Sequence, residues 1–220
     1  MDNPSKITEG GVVYSLGQFD GKEVIYEFDK VLIYLNAKGK LFFGKHFKIY
    51  QEDSQILFQL CNYFIRDKEN CAKHNIDLDK GILLSGPVGC GKTSLMKLLR
   101  YIVPLQRPYE IIPSRNVTFS FNHLGYKTIE EFGNGKFYCF DDLGVEPLGR
   151  HYGKDCNVMG EVLLSRYELY NQTKGKIKTH ATTNLNAEEL EERYGNRVRS
   201  RMRELFNLIA FDSKTMDKRS

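Results

Sequence analysis

The sequence predicts an α/β fold built on a parallel central sheet, and three observations carry that expectation. GILLSG at 81–86 is a short continuous apolar run of the kind buried in parallel strands. A glycine-rich stretch and an apolar helical run, KTSLMKLLRYIV, follow it at once, giving a strand, loop and helix in sequence. Further runs, NVTFSF (116–121), KFYCFDD (136–142), KIKTHATTN (176–184) and NLIAFD (207–212), read as strands, with a helical pattern from about 157 to 172 between two of them. Strands that alternate with helices imply parallel pairing, because each helix carries the chain back along the sheet.

With 220 residues, 41% hydrophobic and 12% aromatic, the chain can bury a substantial core, and its length suits one domain with a modest extension. In residues 11–50 the runs GVVYSL, EVIYEF, KVLIYL and KLFFGKHFKI, separated by Gly, Asp and Lys, read as small strands. We therefore expect a small β-rich N-terminal extension over 1–50 and the main domain over 51–220. From 53 to 68, Ile56, Leu57, Leu60, Cys61, Phe64 and Ile65 recur at helical spacing, after which KENCAKHNIDLDKG reads as a loop. No stretch approaches the roughly 18 apolar residues of a bilayer span, and the start MDNPSKITEG lacks the basic and apolar regions of a signal peptide, so a cytoplasmic protein without a membrane partner is expected. The five cysteines are scattered without metal-ligand spacing and read as reduced thiols. A net charge of +4 permits nucleic-acid contact without requiring it.

GPVGCGKT, from Gly86 to Thr93, satisfies the phosphate-loop pattern GxxxxGK[ST] in the strand-to-helix context that its mechanism needs. Its glycines let successive backbone N–H groups of Gly86, Pro87, Val88, Gly89, Cys90 and Gly91, proline excepted, curl toward phosphate oxygens, and the helix that follows offers its positive end to the same anion. Lys92 is then the residue for the β and γ phosphates, Thr93 the hydroxyl ligand of Mg2+, and Ser94 an additional phosphate contact, which makes ATP and Mg2+ the expected cofactors. Cys90 has two readings, a small filler residue or a low-pKa thiol near a helix N-terminus, and filler is favoured.

In KFYCFDDLGVE a buried strand delivers Asp141 and Asp142 to the C-terminal edge of the sheet, where ligands bind in open α/β folds. Asp141 is assigned to Mg2+ and Asp142 to polarising the water that attacks the γ phosphate. Asn184 ends another strand, where its carboxamide can bond the γ phosphate or that water; by itself such an Asn is more often a turn former. RYGNRVRSRMREL spreads Arg193, Arg197, Arg199, Arg201 and Arg203 over more than one helix face, so one can serve as an arginine finger in a neighbouring subunit while others touch nucleic acid or acidic partners. A solvated basic helix is the plainer alternative.

Taken in order, GPVGCGKT, FYCFDDLGVE, ATTNLNAEEL and RYGNRVRSRMREL resemble the DnaC/IstB-like branch of the AAA+ ATPases over roughly residues 50–212. The resemblance implies a P-loop NTPase αβα sandwich, with Lys92 in Walker A, Asp141 and Asp142 in Walker B, Asn184 as sensor I and Arg201, or secondly Arg197, as the finger. It departs from the wider family in having Asp142 where many members carry Glu, and in offering no C-terminal helical lid after Asp212. The expected function is an ATP-hydrolysing switch, slow and stimulated by DNA or a partner, that self-associates and acts on a replicative helicase or single-stranded DNA as a helicase loader. Alternatives are a helper ATPase for a transposase, a small-molecule kinase, and a non-enzymatic nucleotide-binding module.

Overall fold

The computed structural model describes residues 3–103 and 109–218, which divide into two compact units. The first holds residues 3–76 and 94–103, and the second 77–93 and 109–218.

In the first unit, β1 (Lys6–Glu9) pairs antiparallel with β2 (Val12–Ser15), and β3 (Gly17–Phe19) with β4 (Val24–Tyr26). The chain then forms α1 (Phe28–Phe43), α2 (Ser54–Ile65) and a short α3 (Lys68–Lys73). KVLIYL and the first four residues of KLFFGKHFKI, expected as strands, are thus a single helix, and residues 44–49 form neither helix nor strand. Val31, Tyr34, Leu35, Lys38 and Gly39 are buried at positions i, i+3, i+4, i+7 and i+8, so the helical period outweighs the strand preference of the individual aromatic and β-branched residues. α3 likewise occupies the start of the segment expected as a loop, begun by the Asp67 side chain accepting from the Asn70 backbone at 2.9 Å.

The second unit is built on a five-stranded, wholly parallel sheet. β5 (Gly81–Ser85) leads through the glycine-rich loop into α4 (Lys92–Leu99), whose residues from Ser94 onward cluster with the first unit. β6 (Glu110–Pro113), α5 (Ser114–Leu124), α6 (Lys127–Phe132) and β7 (Tyr138–Asp141) follow. A small hairpin of β8 (Gly149–His151) and β9 (Lys154–Cys156) precedes α7 (Val158–Thr173), β10 (Thr179–Thr183), α8 (Ala187–Leu205) and β11 (Phe206–Ala210). The strand order is β11-β5-β10-β7-β6. NVTFSF is therefore not a strand: it lies in α5, where Ser114, Val117, Thr118 and Phe121 are buried at helical spacing. EIIP supplies the sheet strand at that point in the chain and was too short a run to stand out.

Strands β7 and β10 are buried along their whole length, as a sheet covered on both faces requires. Leu83, Phe140 and Ala181 form a core with Val162 and Leu163 of α7 and Met202 and Leu205 of α8. One buried cation pins this core: Arg166 of α7, 1% exposed, donates to Thr179 Oγ1 at 2.7 Å, to Lys136 O at 3.0 Å and Lys178 O at 3.2 Å, and to Asn134 O. Burial lowers its pKa to about 10, which leaves it charged at neutral pH, so one side chain satisfies the backbone at the starts of β7 and β10. Among the described residues no helix is long and apolar enough to cross a membrane.

His180 of β10 is fully buried and accepts a hydrogen bond from the Ile82 backbone at its Nδ1, 3.1 Å away, which requires the neutral ring. Burial, then the positive charges of Lys178 and Arg166, push its pKa down from 6.5 to about 3. The unfolded chain takes up this proton below pH 6.5 and the folded chain does not, so the stabilisation is complete above pH 6.5 and is lost as pH falls toward 3. Chemical denaturation should show about 2 kcal/mol less stability from this group at pH 5.0 than at pH 7.5. His180→Asn should flatten that difference; an unchanged pH dependence in the variant would exclude His180 as its source.

Candidate nucleotide-binding site

The C-terminal ends of β5, β10 and β7 are neighbours in the sheet, so the residues that follow them converge at one edge. After β5, Gly89 and Gly91 adopt φ of 82° and 101°, backbone that a side chain would strain, and the loop closes on itself around Lys92. Lys92 is only 6% exposed. Its ammonium donates to Gly86 O at 2.7 Å and Pro87 O at 2.8 Å and lies 3.8 Å from Cys90 Sγ. Cys90 is buried in the loop. Val88 is exposed, and Ser94 follows Thr93 on α4, half-buried.

Asp141 is the hub of the site. Thr93 Oγ1 donates to its two carboxylate oxygens at 2.8 and 3.1 Å, and Thr182 Oγ1 donates to Oδ1 at 2.6 Å. The same Thr182 hydroxyl accepts from the Asp142 backbone at 2.9 Å, and Leu143 N bonds Thr182 O at 2.8 Å. Asp142 itself turns out of the strand at φ 55° and is exposed. The loop is stitched to β10 as well, with Gly86 N bonding Thr183 O at 3.2 Å. Thr182 was not singled out in the sequence, where it reads as one more residue of a buried strand.

Asn184, the residue after β10, is half-buried, and its Oδ1 is buried without a hydrogen-bond partner. A buried acceptor left without a partner costs about 1–3 kcal/mol, which a donor from outside the chain would relieve. Thr93 and Asp141 offer adjacent hard oxygen ligands, the donor chemistry that Mg2+ takes. The glycine cradle, the lysine and these oxygens together fit a magnesium-bound nucleoside triphosphate.

Glu146, the last residue of the FYCFDDLGVE motif, carries a role the sequence did not disclose. It is 3% exposed and accepts from Gly144 N at 2.8 Å and from the Tyr194 hydroxyl at 2.6 Å, with Arg193 Nη2 at 3.5 Å. Burial first, then the Glu146 charge, holds the Tyr194 phenol well above its ordinary range. The loop after the acidic pair is thereby fastened to the first half of α8. Gly195, at φ 79° and ψ 162°, then breaks that helix, and the remaining arginines lie beyond the break. Arg201 is engaged within the chain, stacked on Tyr167 at 4.6 Å and bonded to Tyr167 Oη at 3.3 Å and Glu204 at 3.0 Å. Arg199 is buried and donates to Ala187 O. Arg197 is exposed, and no hydrogen bond or ion pair involves it among the described residues. Lys92, Thr93, Asp141, Asp142 and Asn184 thus gather at one sheet edge, whereas no bond ties Arg197 or Arg201 to that set.

A second feature escaped the sequence reading. The β8–β9 hairpin turns at Tyr152 and Gly153, both at positive φ, and leaves the Tyr152 ring 94% exposed. Arg150 N bonds Asn122 Oδ1 at 2.7 Å, and ring contacts run from Tyr126 through Phe121 and His151 to Tyr152 with centroid spacings of 5.7, 6.0 and 4.3 Å. The hairpin is therefore a fixed aromatic mount, with Arg150 and Lys154 on its two strands.

No protein-family model matches the sequence, and no curated protein matches it. Solved structures do. The crystal structure of the DnaC helicase loader is similar with a TM-score of 0.54 at 19% identity, over 76% of this chain and 94% of that one. The replication initiator DnaA bound to AMPPCP and single-stranded DNA is similar with a TM-score of 0.51 at 20% identity. That likeness takes in 83% of this chain and 53% of DnaA, so the chain spans about half of DnaA's length. The likeness shows the fold: this chain has an α/β P-loop NTPase fold, with a parallel five-stranded sheet flanked by helices, shared with these two structures.

Proposed function

We propose that the chain binds and hydrolyses ATP as an AAA+-type switch acting on DNA or a DNA-bound partner, most simply as a DnaC-like replicative helicase loader. The observation that carries this is the bond from Thr93, one residue after the loop lysine, to Asp141 at the end of β7, an arrangement suited to a metal-bound triphosphate. Lys92 leaves the loop carbonyls to meet the β and γ phosphates, and the N–H groups of the loop take the remaining oxygens. Magnesium held by Thr93 and Asp141 would neutralise phosphate charge. Asp142 orients and deprotonates the attacking water, and Asn184 Oδ1 accepts its O–H. Arg197 is the better candidate for a finger reaching a neighbouring copy, because Arg201 is already held by Tyr167 and Glu204. The Tyr152 hairpin offers a base-stacking platform for single-stranded DNA.

Lys92→Ala should weaken ATP binding at least tenfold, while Asp142→Asn should retain binding and lose turnover by about a hundredfold, read by calorimetry and phosphate release. Retained affinity in the first variant would remove the loop from phosphate binding. Arg197→Ala and Asp142→Asn, each inactive alone, should recover turnover when mixed, since one supplies a sound finger and the other a sound acidic pair; Arg201→Ala should stay active. No recovery on mixing would exclude a site completed between copies through Arg197. Tyr152→Ala should lower affinity for a fluorescent oligo(dT) by about five- to a hundredfold without changing ATP binding. Unchanged DNA affinity would exclude the hairpin as the platform.

A further inference from the structure

β11 ends beside β5, with Ala210 in register with Ser85, and the chain continues directly over the phosphate loop. Phe211 donates its backbone N–H to Ser85 O at 2.8 Å and is buried, and a side chain placed on Gly86 would meet Phe211 Cβ at 2.7 Å. Asp212 then caps a turn, its Oδ1 accepting from Lys214 N at 2.8 Å and its carbonyl from Thr215 N at 3.0 Å. This turn sends the chain back toward the loop. There Lys218 grips two carbonyls, its backbone N–H donating to Gly89 O at 3.0 Å and its ammonium to Cys90 O at 3.1 Å, while the ammonium also lies 5.2 Å from the Phe211 ring centroid. The Asp217 carboxylate lies against Gly89 so closely that any side chain at that glycine would overlap it.

We propose that residues 211–218 form an autoinhibitory strap, in which the Asp217 carboxylate and an incoming triphosphate compete for the mouth of the phosphate loop. The proposal rests on the nucleotide-binding reading of that loop. Its physical basis is the loop's own polarity. A loop whose backbone favours anions also favours a carboxylate, and a triphosphate brought beside Asp217 meets like charge at short range. Lys218 adds to the closed state by occupying the Gly89 and Cys90 carbonyls, and Lys92 is meanwhile turned inward onto Gly86 and Pro87. Loop and strap therefore hold each other shut. Binding of nucleotide must release the strap, and by linkage anything that captures the strap must raise nucleotide affinity by the same factor. Met216, 73% exposed at the outer side of the strap, is placed to report its release.

The test uses the full chain and mant-ATP with magnesium. Asp217→Asn keeps the side chain's shape and removes its charge, and it should bind mant-ATP about three- to tenfold more tightly than wild type, the size of a single charge acting at an anion site. In wild type, the Met216 methyl resonance should shift when nucleotide is added. Equal or weaker binding by Asp217→Asn, or a Met216 resonance indifferent to saturating nucleotide, would overturn the strap; weaker binding would instead make Asp217 part of the nucleotide pocket. Lys92→Ala separates the two claims, because mant-ATP binding as tight as wild type in that variant would sink the nucleotide reading itself, whatever Asp217 does.

Discussion

A single carboxylate holds the site together. Asp141 is 9% exposed, and the hydroxyls of Thr93 and Thr182 both point their hydrogens at it, one from the first turn of α4 and one from β10. A nearly buried carboxylate is tolerable only when such donors replace its lost water, and the donors in turn fix where the phosphate loop sits relative to β7 and β10. Because Thr182 also accepts from the Asp142 backbone, the chain at the exposed Asp142 is anchored by the same hydroxyl. Removing Asp141 would therefore disturb the loop, β10 and the Asp142 backbone together.

The sheet was legible where the sequence runs are apolar on both faces, as in GILLS and YCFD, since only a doubly covered parallel strand accepts such runs. The glycine-rich loop between β5 and α4 was legible because an apolar run, closely spaced glycines and a helical run follow one another there. Legibility failed where helix and strand signals compete. NVTFSF is rich in β-branched and aromatic residues, yet Val117 and Phe121 are a helical turn apart on the buried face of α5. KVLIYL failed for the same reason in α1, where Val31, Tyr34 and Leu35 lie on the buried face. Thr182, Glu146 and Tyr152 gave no signal because their roles depend on partners 40 or more residues away or on exposure at a turn, neither of which is written in local spacing.

Glu146 gives the acidic loop a mechanical link to the rest of the unit. Through Tyr194 and Arg193 it ties the segment after Asp142 to α8, and the break at Gly195 separates that tie from Arg197. The contact thus couples the acidic loop to the first half of α8, up to the break. Residues 211–218 lie against the other loop of this edge, the glycine-rich one, at Gly89.

The most direct test is calorimetric titration of ATP into the wild-type chain, with magnesium and then with EDTA. Saturable one-to-one binding that tightens at least tenfold with magnesium is the result that a Thr93–Asp141 metal site requires. Binding that is absent, or equally strong without the metal, would contradict the assignment of this sheet edge to a magnesium-bound triphosphate.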